Sequence, residues 1–476
     1  MNITGRREER RELERCERSG KSELVCVYGR RRVGKTFLVE QTFSESIAFR
    51  ATGVEEGNTR QQLKSFHLRL LEYGDTVRTI PKNWFEAFAR LERILSGDSI
   101  VRSAHGKRIV FFDEFPWFDT VRSDFLMAFG EFWNRCGSGS GDIMFIICGS
   151  ATSWIIGNIL ENTGSLYHRV TCQIFLAPFT LQETEWFFRE REAGWSRKQI
   201  AECRMVFGGL PFFLELLHTD DSLRQNIDRL IFQPQALLQS ESKRLLESTL
   251  RKSPVYGQIL QLLSEHRCGL KQKVCYEKLN IPRGSFVRAA DDLLKCGYIR
   301  KYVNMHETRK PTYLQIVDPF LLFHFRFLSA SGKKEISSFS EFMQEEGRYT
   351  NWRGMAFELL CLEHVRQIKS ALGIAGVRTN SFPWISRKKK GGAQIDLVIE
   401  RDDGITNLCE MKYTDKPFTV TAAVEEELLH KKEVFREETK TKQTLKTVLV
   451  SASGVAGVAH TEHISQILTL EELFAS

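Results

Sequence analysis

The sequence predicts an α/β protein with two separate strand-and-helix units, joined by a stretch of different character. Three observations predict it. The apolar run Leu24-Val25-Cys26-Val27-Tyr28 passes through a glycine-flanked loop into a helical stretch, Thr36 to Gln41. Further apolar strands, Arg108 to Glu114 and Ile143 to Cys148, then alternate with amphipathic helices. From about Glu341 the alternation of helix and strand resumes, after a segment of short helices and a hairpin.

Taken in order, a charged helix over Glu8 to Ser19 leads in, its Arg and Glu residues alternating as on a solvated face. Residues 58–73 and 84–96 read as amphipathic helices, with Trp84, Phe85, Phe88 and Leu91 at helical spacing as core. Asp119 to Cys136 reads as one further helix, ended by the breaker Gly137-Ser138-Gly139-Ser140-Gly141. The strand ending at Cys148 delivers Gly149-Ser150, and Cys172 to Leu176 is the next strand. Helices follow from Leu181 and from Gly208-Gly209-Leu210-Pro211. From Ser253 to Phe327 the pattern is three short helices, Val255 to Ser264, Val274 to Leu279 and Ser285 to Lys295, then strands Tyr298 to Val303 and Tyr313 to Val317 about a charged turn. Three helices and a hairpin make a winged helix. Ser331 to Ser338 reads as a linker.

The chain of 476 residues has length for two to four domains, and its 42% apolar content excludes global disorder. The balance of 68 Lys+Arg against 60 Asp+Glu gives a formal +8, compatible with a nucleic-acid partner without demonstrating one. None of the 11 cysteines forms a C-x-x-C pair, and Cys26, Cys148 and Cys361 sit in apolar runs. They read as thiols of a reducing cytosol. Cys268 and Cys275 near His266 fit no common zinc spacing, and His460-x-x-His463 reads as surface, so no zinc is expected. The start is charged from Arg6 and no apolar run approaches membrane-helix length. A cytoplasmic protein away from membranes is expected.

Residues 29–36 read Gly-Arg-Arg-Arg-Val-Gly-Lys-Thr, a full match to G-x-x-x-x-G-K-[ST] between a strand and a helix. Gly29 and Gly34 let the loop turn tightly, so the N–H groups of Arg30, Arg31, Arg32 and Val33 point inward at phosphate oxygens. Lys35 adds a point charge for the β- and γ-phosphates, and the Thr36 hydroxyl is a ligand for Mg²⁺. The second element ends in Asp113-Glu114, 77 residues beyond Thr36. Asp113 would hold the Mg²⁺ shell and Glu114 would polarise the attacking water. Ser150 stands at the carboxyl end of a strand, where open α/β sheets bind ligands.

A second constellation lies near the C-terminus. Gln394 to Ile399 and Asn407 to Lys412 read as two apolar strands placing Asp396, Glu410 and Lys412 on a hairpin. Glu410 and Lys412 are two apart and share a face. The amphipathic helix Met355 to Leu372 carries Glu358. Three carboxylates and a lysine suit a metal-dependent phosphodiesterase: Asp396 and Glu410 for Mg²⁺, Glu358 completing the shell, Lys412 orienting or activating water. The alternative is a surface hairpin with an ordinary Glu–Lys pair. The run Arg387-Lys388-Lys389-Lys390 is either a solvated loop or a contact for a phosphate backbone.

Together these segments resemble the AAA-type P-loop ATPases of the archaeal and bacterial family that carry a winged helix and a C-terminal PD-(D/E)XK, restriction-endonuclease-like domain. The likeness spans nearly the whole chain. Gly29 to Thr36 and Phe111-Phe112-Asp113-Glu114-Phe115-Pro116-Trp117 resemble its Walker motifs, and Gly5-Arg6 with Glu9 its N-terminal nucleotide-side motif. Cys148 to Trp154 resembles its sensor 1 segment, with Ser150 as the polar sensor. Leu166-Tyr167-His168-Arg169 resembles its Leu-Tyr-x-Arg stretch, which implies Arg169 as an arginine finger. Gly208 to Pro211 resembles the Gly-x-Pro motif of related signalling ATPases. Ile395 stands where the PD motif has its proline.

The resemblance implies an ATPase core over residues 1–180, a helical lid over 181–250, a winged helix over 251–330 and the nuclease-like domain over 341–476. ATP and Mg²⁺ are the implied cofactors, with DNA and further copies of the chain as partners. The expected function couples nucleotide state to DNA binding or metal-dependent cleavage. The rival expectations are a signalling switch, or a DNA-binding regulator, with an inactive nuclease-derived scaffold. In the candidate recognition helix, Ser285 to Lys295, Arg288 and Lys295 stand beside Asp291 and Asp292.

Overall fold

The computed structural model describes every residue except 1–2, 162–163, 165, 167, 243–244, 247–252, 304–311, 329–338, 340–347, 389, 458 and 476. The charged turn of the expected wing, the linker 331–338, Tyr167, Lys389 and the start of the C-terminal domain at Glu341 therefore lie outside the described residues. The chain divides into two units. The first is residues 1–177 with 247–251; the second is residues 178–246 with 252–476.

The first unit is a five-stranded sheet in the order β2-β3-β4-β1-β5, every pair parallel. Its strands are β1 (Glu23–Tyr28), β2 (Ile47–Thr52), β3 (Arg108–Asp113), β4 (Ile143–Gly149) and β5 (Cys172–Phe175). β1, β3 and β4 are apolar and buried almost throughout, as strands covered on both faces must be. β4 runs between β1 and β3, so the carboxyl ends of three strands deliver the P-loop, Asp113 and Ser150 side by side.

Helices Thr59–Glu72 and Trp84–Leu95 begin on the side chains of Asn58 and Asn83, which accept from Gln61 N and Glu86 N. Both bury aromatic rings against the sheet. Trp84 meets Phe118 and Phe125 edge-on, and Phe66 meets Phe49 and Phe112. Trp84, Phe88 and Leu91 are buried as expected, but Phe85 is 36% exposed. The helix starts at Trp84, and one residue turns about 100° round it, off the core stripe.

The helix expected over 119–136 is also different. Glu114 is left-handed, and a 3₁₀ turn, Phe115–Phe118, sinks Phe115 and Phe118 into the core. Arg122 and Asp124 are left-handed too, so the helix proper is only Phe125–Phe132. It continues through a π-turn, Trp133–Gly137, and stops at Gly141 rather than at the first glycine of the breaker.

The second unit begins with helices Leu181–Arg189, Arg197–Phe207, Pro211–Glu215 and Leu223–Ile227. Helices Pro254–Ser264, Gln272–Lys278 and Arg283–Lys295 follow, with strands β6 (Leu270–Lys271), β7 (Ile299–Val303) and β8 (Thr312–Ile316) in the order β6-β8-β7. β6 is too short to stand out in sequence.

The C-terminal part is a second five-stranded sheet, β13-β12-β11-β10-β9. β9 (Thr379–Ile385), β10 (Gln394–Arg401) and β11 (Ile405–Lys412) form an antiparallel meander. Helix Ala422–Thr439 then crosses to β12 (Thr444–Ser451) and β13 (Ile464–Thr469), which run parallel to β11. The helix expected over 355–372 is two, Arg348–Glu363 and Val365–Ala371, broken at His364.

The segment after β5 is built into this second unit. Arg204 donates to Glu363 at 2.9 Å, Lys198 to Thr414 O at 2.8 Å, and Tyr413 to Glu202 at 2.7 Å. Arg353 pairs with Asp415 at 2.8 Å. Gly208-Gly209 lies against it: Gly209 O accepts from Phe179 N at 2.7 Å, and Pro211 opens the next helix.

His364 fixes a pH prediction. Its Nε2 accepts the Leu181 N–H at 3.2 Å, so the proton sits on Nδ1, which donates to Leu360 O at 2.8 Å. Burial, with the Arg204 charge, pushes the imidazole down to about 4, and burial pushes His324 down to about 4 as well. Both folded values lie below the unfolded value near 6.5. The unfolded chain therefore takes up the proton first, and this stability is complete above about pH 6.5 and lost as pH falls toward 4. Between pH 7 and 4.5 the wild type should lose about 2–3 kcal/mol more than His364→Gln, measured by denaturant melts. Asp396, which burial and Glu410 raise to about 6, acts in the opposite sense and cancels in that comparison.

Candidate functional site

The P-loop takes the form its residues require. Gly29 has φ 151°, and a Cβ there would sit 2.4 Å from Leu176 O. Gly34 has φ 90° and precedes helix Lys35–Phe43. Arg32 is left-handed in the same turn, Val33 and Arg30 are buried, and Arg31 points outward to Glu55 at 3.2 Å. Lys35 donates to Gly29 O at 3.0 Å and Arg30 O at 2.9 Å, and burial pushes its ammonium down. Thr36 Oγ1 donates to Asp113 Oδ2 at 2.9 Å. Burial and the adjacent Glu114 charge raise the Asp113 carboxyl.

Glu114 holds φ 46°, and its Oε2 accepts from Ser150 N at 3.2 Å and Ser150 Oγ at 2.9 Å. Arg6 is buried and bridges two parts of the loop wall, donating to Val33 O at 3.3 Å and Ala177 O at 2.6 Å, with Glu9 at 3.5 Å. Arg169 is exposed on the turn after Leu166. The structure thus brings Gly29–Thr36, Asp113, Glu114 and Ser150 together. A backbone cradle, a lysine and a hydroxyl–carboxylate pair fit a nucleotide triphosphate with Mg²⁺.

In the C-terminal sheet, Leu397 pairs with Cys409, so Asp396 faces Glu410 across β10 and β11. The β9–β10 register slips between Ile395 and Val398, a bulge that re-aims Asp396. Asp396 Oδ2 accepts from Met411 N at 2.9 Å. Glu358 and Asp396 are both buried, and Arg267, from the turn between helix Pro254–Ser264 and β6, donates to both. Glu410 is held by Lys412 at 2.8 Å and by Lys431 of helix Ala422–Thr439 at 2.8 Å.

The three carboxylates expected to converge on one ion are therefore split between two sets of cations. Among the described residues no three His, Cys, Asp or Glu side chains are grouped to hold a metal. Buried carboxylates need counter-charges, and the basic side chains supply them here. The donor set nonetheless suits a divalent cation: two buried carboxylates already share one positive group. Arg267 and Lys431 are the residues that sequence reasoning missed. In the basic run, Arg387 pairs with Glu438 and Lys388 with Glu437. His460 and His463 both lie on Glu425.

The parallel sheet, the P-loop and the facing Asp113-Glu114 define a P-loop nucleotide-binding domain. Residues 4–217 match the model of an ATPase domain found predominantly in Archaea. An uncharacterised protein of Methanocaldococcus jannaschii is 22% identical over 420 residues, 86% of this chain and 87% of that protein. Among solved structures, a Walker-type ATPase of Pyrococcus abyssi is 19% identical with a TM-score of 0.49, covering 68% of this chain and 96% of its own. The ORC2 protein of Aeropyrum pernix is 15% identical with a TM-score of 0.44, covering 70% and 96%.

Proposed function

We propose that the protein binds and hydrolyses ATP and couples nucleotide state to DNA binding or metal-dependent DNA cleavage. Lys35 and the loop N–H groups bind the phosphates, Thr36 and Asp113 hold Mg²⁺, and Glu114, aimed by Ser150, polarises water. Bound Mg²⁺ neutralises phosphate charge. The observation that carries the coupling is the seating of helix Arg197–Phe207. It follows the ATPase sheet in the chain and is tied through Arg204, Lys198 and Glu202 to the part that holds Asp396, Glu410 and Lys412. A nucleotide-driven shift of that helix acts directly on Tyr413, next to Lys412.

On this reading residues 251–330 form a winged helix that holds duplex DNA. In its candidate recognition helix, Asp292 accepts from Tyr256 and Lys295 pairs with Asp291, which leaves Arg283 and Arg288 exposed. The second reading, a DNA-binding regulator or signalling switch with an inactive scaffold, draws on the splitting of the carboxylates between Arg267 and the lysines. A plasmid-nicking assay with Mg²⁺ or Mn²⁺, with and without ATP, separates them. Metal-dependent nicking supports cleavage, and DNA retention without nicking supports the regulator.

Self-association is part of the proposal, with Arg169 reaching a neighbour's γ-phosphate. Specific ATPase activity should then rise with protein concentration. Mixing Arg169→Ala with Lys35→Ala chains should restore activity, because one keeps the P-loop and the other the arginine. No recovery at any ratio would remove Arg169 from that role.

A further inference from the structure

Glu358 and Asp396 are each less than a tenth exposed, and one guanidinium bridges them. Arg267 reaches them from outside the C-terminal sheet, and its side chain is 43% exposed. It is the outer wall of the pair rather than part of its interior. A small cavity of about 20 Å³ lies against it, lined by His266, Arg267, Met355, Glu358, Pro383 and Asp396 among others. That is room for one water-sized sphere beside two carboxylates.

The backbone of Arg267 is hydrogen-bonded to the hairpin, whose Tyr302 also packs against the core of the sheet that carries Asp396. Gln315 of β8 donates to Arg267 O at 2.6 Å, and Arg300 of β7 donates to Gln315 at 2.8 Å. Tyr302 of β7 donates to Cys268 O. The guanidinium is therefore delivered by the helix-and-hairpin segment, while its carboxylates belong to helix Arg348–Glu363 and β10.

Resting on the reading of these carboxylates as a metal site, we propose that Arg267 is a built-in counter-cation: it takes the place of a divalent ion between Glu358 and Asp396, and the ion binds only when Arg267 leaves. The physical basis is competition for the same lone pairs. A carboxylate whose oxygens already accept from a guanidinium has fewer lone pairs to offer an ion, and two cations do not share so small a buried volume. Because the hairpin carries Arg267, a ligand that shifts the hairpin opens the site. Duplex DNA held by this segment is such a ligand, so that metal loading would follow substrate engagement.

The test is Mn²⁺ titration of the full chain by calorimetry, without nucleotide. Arg267→Ala should bind one Mn²⁺ about 10- to 100-fold more tightly than wild type, the range expected for losing hydrogen bonds to a charged group. Adding Asp396→Ala to that variant should abolish the gain. Arg267→Ala also strands two buried carboxylates, so Arg267→Gln and Arg267→Lys accompany it. Gln removes the charge and keeps hydrogen bonding. Lys keeps the charge and loses the fork, and should fall between Gln and wild type. Equal Mn²⁺ affinity in wild type and every folded variant overturns the counter-cation while leaving the metal site standing. No Mn²⁺ in any variant overturns the metal reading of the site and the counter-cation with it.

Discussion

Replacing Glu114 by Gln is expected to leave ATP binding intact and to slow turnover by about 10²- to 10⁴-fold, the range for a positioned general base. The substitution is nearly isosteric. Its carbonyl oxygen can still accept from Ser150 N and Oγ, so the left-handed backbone and the site around it stay in place. What is lost is the negative charge that the proposed role places beside the attacking water. Lys35→Ala acts earlier. It removes the cation lying on the loop carbonyls of Gly29 and Arg30, and nucleotide binding should vanish in a fluorescent-ATP titration. Ser150→Ala should fall between the two in turnover, because Glu114 keeps its charge but loses the hydroxyl that helps to aim it. Steady-state phosphate release at saturating ATP reads all three. Unchanged turnover in Glu114→Gln would mean that Glu114 does not polarise the attacking water.

The nucleotide site was legible because its parts are local. A strand, a loop of eight residues and a helix are contiguous, and the glycine positions follow from the backbone the loop must adopt. Ser150 and Glu114 are each legible at a strand end, but their hydrogen bond is not, since nothing local says that β4 lies between β1 and β3. The 3₁₀ turn at Phe115–Phe118 is not legible because four residues are too few to display a period.

The C-terminal site shows the limit more sharply. The short separation of the two strands makes the proximity of Asp396, Glu410 and Lys412 readable. Arg267 comes from a turn far back in the chain, and Lys431 from the crossover helix. Neither carries a motif. Only the need of buried carboxylates for counter-charge points to such residues, and it does not say which of 68 basic side chains will answer.

If the C-terminal site cuts DNA, Asp396→Asn should stop it while ATP hydrolysis continues at the wild-type rate, because Asp396 and the P-loop lie in different units. Asn is the cleaner variant. Asp396 Oδ2 accepts from Met411 N, and an Ala would strand that buried N–H at a cost of about 1–3 kcal/mol, whereas Asn can still accept it. The loss in cleavage should be large. An ion held by carboxylates supplies several kcal/mol of charge stabilisation to phosphodiester cleavage, which corresponds to about 10³-fold or more in rate. Lys412→Ala should behave differently, keeping metal binding and losing rate, since its ammonium lies on Glu410 and ligates nothing. Lys431→Ala serves as the comparison: it removes the other cation on Glu410 from a helix rather than from the strand. A larger rate loss for Lys412 than for Lys431 assigns the chemistry to the strand lysine. Nicking that survives in Asp396→Asn, measured on supercoiled plasmid with Mn²⁺ and with the same ATPase rate as wild type, would show that the cut is made elsewhere, and the sheet would then be a scaffold that holds DNA or relays nucleotide state.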